Sequence, residues 1–153
     1  MVELLMVVAL VGLLAAISIP AMAKSRRGAQ VRRVANDLRV FANGFQMYSL
    51  QKGAYPKDCG LDGANNLPAG VDVEANIRVE QWTALTSFGG HYEWEGPDIK
   101  GFAGIAFADA TADDGMFRDL DKLIDDGNLA SGQFRSAGGR FTYVIEENAP
   151  VLN

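Results

Sequence analysis

Three groups of residues in this 153-residue chain have types and spacings with chemical potential. Glu3 is the one carboxylate in MVELLMVVALVGLLAAISIPAMA, residues 1–23, and Gly12 and Pro20 follow it at nine and seventeen residues. An acid at a bilayer centre costs about 3 kcal/mol on insertion scales, less near the interface, so Glu3 needs a physical reason to be there. The second group is acidic. Asp113-Asp114 and Asp125-Asp126-Gly127-Asn128 offer the oxygen ligands a hard cation such as calcium takes. Their spacing is not that of an EF-hand, and the expectation is helix capping and a solvated acidic face, with no metal site assigned. The third group is basic. Residues 24–57 hold eight basic side chains, among them Arg26, Arg27, Arg32 and Arg33, against one acid, Asp37.

Other chemistry is thinly supplied. One cysteine, Cys59, excludes an internal disulfide framework and a CxxC metal site, and one histidine, His91, excludes a His–His pair. The thiol is expected to be buried or unreactive. No Ser/His/Asp set, phosphate-cradling glycine loop or catalytic acid pair stands out, so neither enzyme activity nor a cofactor is expected. The net charge of −5 disfavours a globally basic nucleic-acid binder, although contact at the level of a polymer stays open.

The elements that must position these groups follow from patterning. Residues 1–23 are apolar and long enough to cross a bilayer as a helix. Residues 24–52 continue it as a basic amphipathic helix. Val31, Val34, Leu38, Phe41, Phe45 and Tyr48 recur at helical spacing, with Ala35 and Ala42 in the same stripe. Gly53 and Pro56 stop it. A helix from Met1 to about Lys52 would run roughly 75 Å, longer than a globule of this size is wide, so its apolar end must be buried in something other than its own head.

Residues 53–153 form an acidic head, with six basic and seventeen acidic side chains from 58 onward. Residues 56–72 read as loop, and Glu74–Leu85 holds a short helical segment. HYEWE (His91–Glu95), FAGIAFA (Phe102–Ala108) and FTYVIE (Phe141–Glu146) read as strands, with Gln133–Arg135 pairing the last and glycine pairs at 89–90 and 138–139 as turns. Asp113–Gly127 reads as a helix with Met116, Phe117, Leu120, Leu123 and Ile124 on one face, capped by Asp113 or Asp114 and ended by Gly127. Trp82, Tyr92, Trp94, Phe102 and Phe107 read as core and sheet residues. The fold class is therefore α+β.

The tail resembles the N-terminal segment of type IV pilins and type II secretion pseudopilins. Val2-Glu3-Leu4-Leu5, Val7-Val8-Ala9, Val11-Gly12, Leu14-Ala15-Ala16-Ile17 and Ile19-Pro20 carry the likeness, with the family's intervals from glutamate to glycine and from glutamate to proline. Met1 lies two places before Glu3, where the family's mature chain starts four places before it with a methylated residue. The expectation is a start upstream of Met1 with a short leader.

The resemblance implies a pilin-like fold, a long N-terminal helix packed on a small antiparallel sheet head with one short helix. It implies a subunit that polymerises through its helix into a type IV pilus-like filament, or else a major pseudopilin. Glu3 would pair with a neighbour's N-terminal ammonium and so set register. The helix would unwind between Gly12 and Pro20 on assembly. Partners would be further copies of the chain, a prepilin peptidase, an inner-membrane assembly platform and, before assembly, the membrane. The location would be the bacterial inner membrane as precursor, then a periplasmic or extracellular filament.

Two further expectations rest on charge. Arg26, Arg27, Arg32 and Arg33 would meet the head acids Asp113, Asp114, Asp125 and Asp126 of neighbours, or anionic lipid headgroups. A single-span anchored sensor is the rival reading, since Lys24–Arg33 would favour a cytoplasmic head, and a soluble enzyme with a cleaved leader ranks below it.

Overall fold

The structure, a computed structural model, describes residues 2–60, 67–137 and 139–152. The loop expectation at 61–66 and the turn glycine at 138 lie outside these residues. Helix α1 runs from Val2 to Lys52, with Pro20 inside it. Gly53, in left-handed conformation, donates its N–H to the Ser49 carbonyl at 2.8 Å and ends the helix. The chain divides into two compact units, Met1–Gln30 and Val31–Asn153, a boundary inside the basic stretch 24–52.

In the second unit α1 buries one stripe: Val31, Val34, Ala35, Leu38, Phe41, Ala42, Gly44, Phe45 and Tyr48. Every residue expected there from helical spacing is buried. Gly44 joins them because Ile77 packs against its backbone. A Cβ added at Gly44 would lie 2.8 Å from the Ile77 side chain and 3.1 Å from the Ala75 carbonyl oxygen.

Four helices follow α1 among the described residues: α2 (Val71–Glu74), α3 (Val79–Thr83), α4 (Pro97–Lys100) and α5 (Asp114–Ile124). α3 lies in the segment expected within Glu74–Leu85 and α5 in the helix expected over Asp113–Gly127, while α2 and α4 add to the one short helix of the expected fold. A helix of four residues completes little more than one turn, too short for a 3.6-residue period to show in the sequence. The strands are β1 (His91–Glu95), β2 (Phe102–Ala108), β3 (Phe134–Ala137) and β4 (Arg140–Glu147). They form one antiparallel sheet in the order β1-β2-β4-β3. Trp94 stands opposite Ile105, and Tyr143 stands opposite both Ile105 and Phe134. The register shifts at Ala103/Gly104.

The alternation in β1 decides the packing. Tyr92 and Trp94 meet the α1 stripe: Phe45 stacks on Trp94 with ring centroids 3.8 Å apart, and Phe41 sets its edge to Trp82 and Tyr92 at 5.0 and 5.1 Å. Such pairs contribute about 0.5–1.5 kcal/mol each beyond the burial of their area. A second aromatic group, Phe88, Phe107, Phe117, Phe134 and Phe141, fixes α5 to the sheet. Phe102 is only half-buried. The alternate β1 residues, Glu93 and Glu95, are buried on the opposite side, where Arg140 bridges both and Lys100 reaches Glu95 at 3.2 Å. Gly90 makes the turn into β1 possible. Its φ is +65°, and a Cβ there would collide with the Ala108 carbonyl oxygen.

Candidate functional site

Residues 2–26 are exposed without exception. Leu5 is 71% and Ile17 72% exposed, and apolar side chains point in every direction around the helix axis. A helix that is apolar all round is stable only when something covers it, a membrane or other protein. This one is long and apolar enough to anchor in a membrane. Glu3 is the one acid of this apolar stretch and is exposed with its neighbours. Gly12 has open space on its Cα: nothing lies within 4 Å of an added Cβ. Pro20 has no N–H to give the Ala16 carbonyl, yet the segment between Gly12 and Pro20 is helical in the single chain. Ser18 donates its hydroxyl to the Leu14 carbonyl at 2.8 Å within the same stretch.

The basic residues divide by location. Arg26 and Arg27 belong to the first unit, while Arg32 and Arg33 belong to the second and are exposed. Further along α1, the cations are used within the second unit itself. Arg39 donates to the Leu123 carbonyl at 3.3 Å, supporting the C-terminal turn of α5, and Lys52 pairs with Glu74 at 2.6 Å. That pairing raises the Lys52 pKa, first through the hydrogen bond to Glu74.

Arg33 also lines a cleft of about 370 Å³ with Asp37, Arg78, Glu80, Gln81 and Tyr92. Asp37, the one acid of the basic stretch, accepts from Gln81 Nε2 at 2.9 Å and from the Tyr92 hydroxyl at 3.3 Å. Burial, then the charge of Asp37, pushes the Tyr92 phenol well above its ordinary range. His91 is tied by Nδ1 to the Thr83 carbonyl at 3.1 Å. Cys59 is exposed, which corrects the buried alternative. Partial desolvation, with Asp58 and Asp98 nearby, raises its pKa to about 11, so it stays a thiol at neutral pH.

The head acids take up distinct local roles. Asp113 caps α5, its Oδ1 accepting from the Met116 N–H at 2.8 Å, as the sequence predicts. The helix ends at Ile124, with Asp125 rather than Gly127 at the cap position. Asp125 accepts from the Gln133 N–H at 2.6 Å and Asp126 from the Asn128 N–H at 2.7 Å.

Two details of α5 depart from expectation. Leu123 is exposed, and Asp121 is fully buried in its place. The signal for this was present: Asp121 follows Phe117 by four residues and so shares its face. Desolvation first, then the charges of Asp126 and Asp125, hold the Asp121 carboxyl above the ordinary carboxylate range, while the Gly127 N–H works the other way. Compared with protein-family models, with curated proteins and with solved structures, the chain matches none.

Proposed function

We propose that this chain is the structural subunit of a type IV pilus-like filament, built by packing residues 2–23 of many copies side by side. The observation that carries this reading is an all-round apolar, fully exposed helix with a single acid in its first turn. The spacing of Glu3, Gly12 and Pro20, which resembles that of pilins and pseudopilins, supports it independently. A membrane covers the helix before assembly, and neighbouring copies cover it afterwards. The prepilin peptidase and the inner-membrane assembly platform are the partners in that transfer. In the polymer, Glu3 is buried among apolar helices, where a lone carboxylate costs several kcal/mol unless a cation meets it. A neighbour's terminal ammonium supplies that cation and sets the register. Unwinding between Gly12 and Pro20 then lets the packed helices shift, because Pro20 already leaves one helical hydrogen bond unmade.

The same physics serves a major pseudopilin of a type II secretion system. The single cysteine, which leaves the head without a closing disulfide, favours that second reading.

The deciding experiment compares the native chain with Glu3→Ala in bacteria that carry the assembly machinery. The variant is expected to accumulate in the membrane at normal level while the sheared fibre fraction loses it. Normal filaments built from Glu3→Ala would sink the assembly role. A filament map is expected to show non-helical backbone between Gly12 and Pro20, and continuous helix there would remove the unwinding step. Native fibres abundant in the sheared fraction would favour the pilus, and chains processed but confined to the membrane fraction the pseudopilus.

A further inference from the structure

The cleft of about 370 Å³ beside Asp37 holds charges of both signs. α1 contributes Arg33 and Asp37, α3 contributes Glu80 and Gln81, and β1 contributes Tyr92. Arg78 joins them from the N-cap position of α3. All six belong to the second unit. The volume falls within the range of small-molecule sites, roughly 300–1,000 Å³.

Asp37 is half-buried, and each of its oxygens accepts from one neutral donor. Oδ1 takes the Gln81 amide at 2.9 Å and Oδ2 the Tyr92 hydroxyl at 3.3 Å. These two bonds fix the carboxylate in place, and no salt bridge reaches it among the described residues. A carboxylate accepts up to about four hydrogen bonds, so half of its capacity is left for a further donor. Arg33 and Arg78 are exposed, and neither forms a salt bridge among the described residues. Arg33 and Asp37 stand four apart on α1. An exposed pair at that spacing contributes only about 0.3–0.5 kcal/mol, so a ligand that meets each of them separately gives up little.

The two signs decide the ligand. A simple anion drawn to the guanidinium groups is repelled by Asp37 and Glu80, and a simple cation is repelled by Arg33 and Arg78. A zwitterion meets both. An ammonium brings donors and no acceptor, which suits Asp37, and a carboxylate matches the planar fork of a guanidinium. Ala84 and Leu85 line the same cleft, and Leu85 is 69% exposed, an apolar surface for a ligand side chain to cover.

We propose that this cleft binds a free α-amino acid with an apolar side chain, its ammonium on Asp37 and its carboxylate on Arg33 and Arg78. Gln81 and Tyr92 are positioning residues that hold the Asp37 carboxylate toward the ligand. The site lies within one chain and stands or falls independently of the filament reading.

The test uses the full chain, labelled with nitrogen-15, in dodecylmaltoside micelles. It is titrated with L-leucine and, separately, with L-phenylalanine. Millimolar amino acid is expected to shift the Gln81 side-chain amide signals and to raise the melting temperature. Leucinamide lacks the carboxylate and 4-methylpentanoate lacks the ammonium, and each should bind about tenfold or more weakly than leucine. Asp37→Asn should weaken leucine by a similar factor and leave 4-methylpentanoate unchanged. Arg78→Gln alters an exposed side chain, so the fold is kept, and it should weaken leucine several-fold while leaving leucinamide unchanged. A Gln81 signal that ignores both amino acids would overturn the site. So would leucinamide or 4-methylpentanoate binding as tightly as leucine, or full leucine affinity in both variants.

Discussion

Helix α1 carries two surfaces that obey opposite rules. From Val31 to Tyr48 its apolar residues recur on one stripe, and that stripe is buried against Trp82, Tyr92 and Trp94. From Val2 to Met22 its apolar residues go all the way round, and every one is exposed. The same helical geometry serves both. The difference is that a stripe can be covered by one small head, whereas an apolar cylinder needs a surrounding phase. The stem half stores the stability of the fold, and the tail half stores an unmet demand for burial that the proposed filament or a membrane satisfies.

The sharpest way to break this comparison is to truncate one apolar side chain in each half. Phe41→Ala removes a ring with no exposed surface and should cost about 3–5 kcal/mol of head stability. Ile17→Ala, 72% exposed in the single chain, should shift the same unfolding transition by less than about 0.5 kcal/mol. Thermal or denaturant unfolding in micelles measures both. Equal losses would mean that the two halves are not energetically separate.

Glycine substitution sharpens the point at smaller scale. Alanine improves helix propensity by up to about 1 kcal/mol at any open position. Gly28→Ala meets nothing within 4 Å and should keep that gain. Gly44→Ala crowds Ile77 and the backbone of Ala75, and should instead lose about 1–3 kcal/mol through overpacking. Opposite signs in one helix would locate the boundary of the packed region, and a gain at both positions would show that Ile77 yields freely.

The smallest effects concern the charges. Lys52→Ala breaks a half-exposed pair with Glu74 and should move the melting temperature by no more than about 2 °C. Arg26→Ala should leave the head's melting unchanged but make isolated fibres come apart at lower salt than native ones, since a weak contact repeated along a polymer accumulates. Fibres of native and variant chains that both withstand molar salt would remove the proposed inter-subunit role of Arg26, Arg27, Arg32 and Arg33.

The amino-acid sequence determined whatever depends on period and punctuation. The 51 residues of α1 and its stripe, the bounds of β1 and β2, the pairing of β3 with β4 and the Asp113 cap were all legible. Each follows from local spacing or from one side chain near its own backbone, and local rules need no fold. The four-residue helices α2 and α4 were below the length at which a period speaks, whereas α3 lies in the helical segment expected within Glu74–Leu85.

What only the tertiary structure decided is which neighbour a side chain meets. Asp37 meets Gln81 and Tyr92, Arg39 meets the end of α5, and Glu93 and Glu95 meet Arg140 across the sheet. Asp121 changed most. By type it belongs to water, and by position it belongs to the core. Its apolar neighbours Phe117 and Leu120 are drawn inward with enough free energy to carry the carboxylate with them. The fold thereby buries a carboxyl that residue type assigns to water and that only its place four residues after Phe117 hints at, because the cost of burial at one position is met by the gain at others.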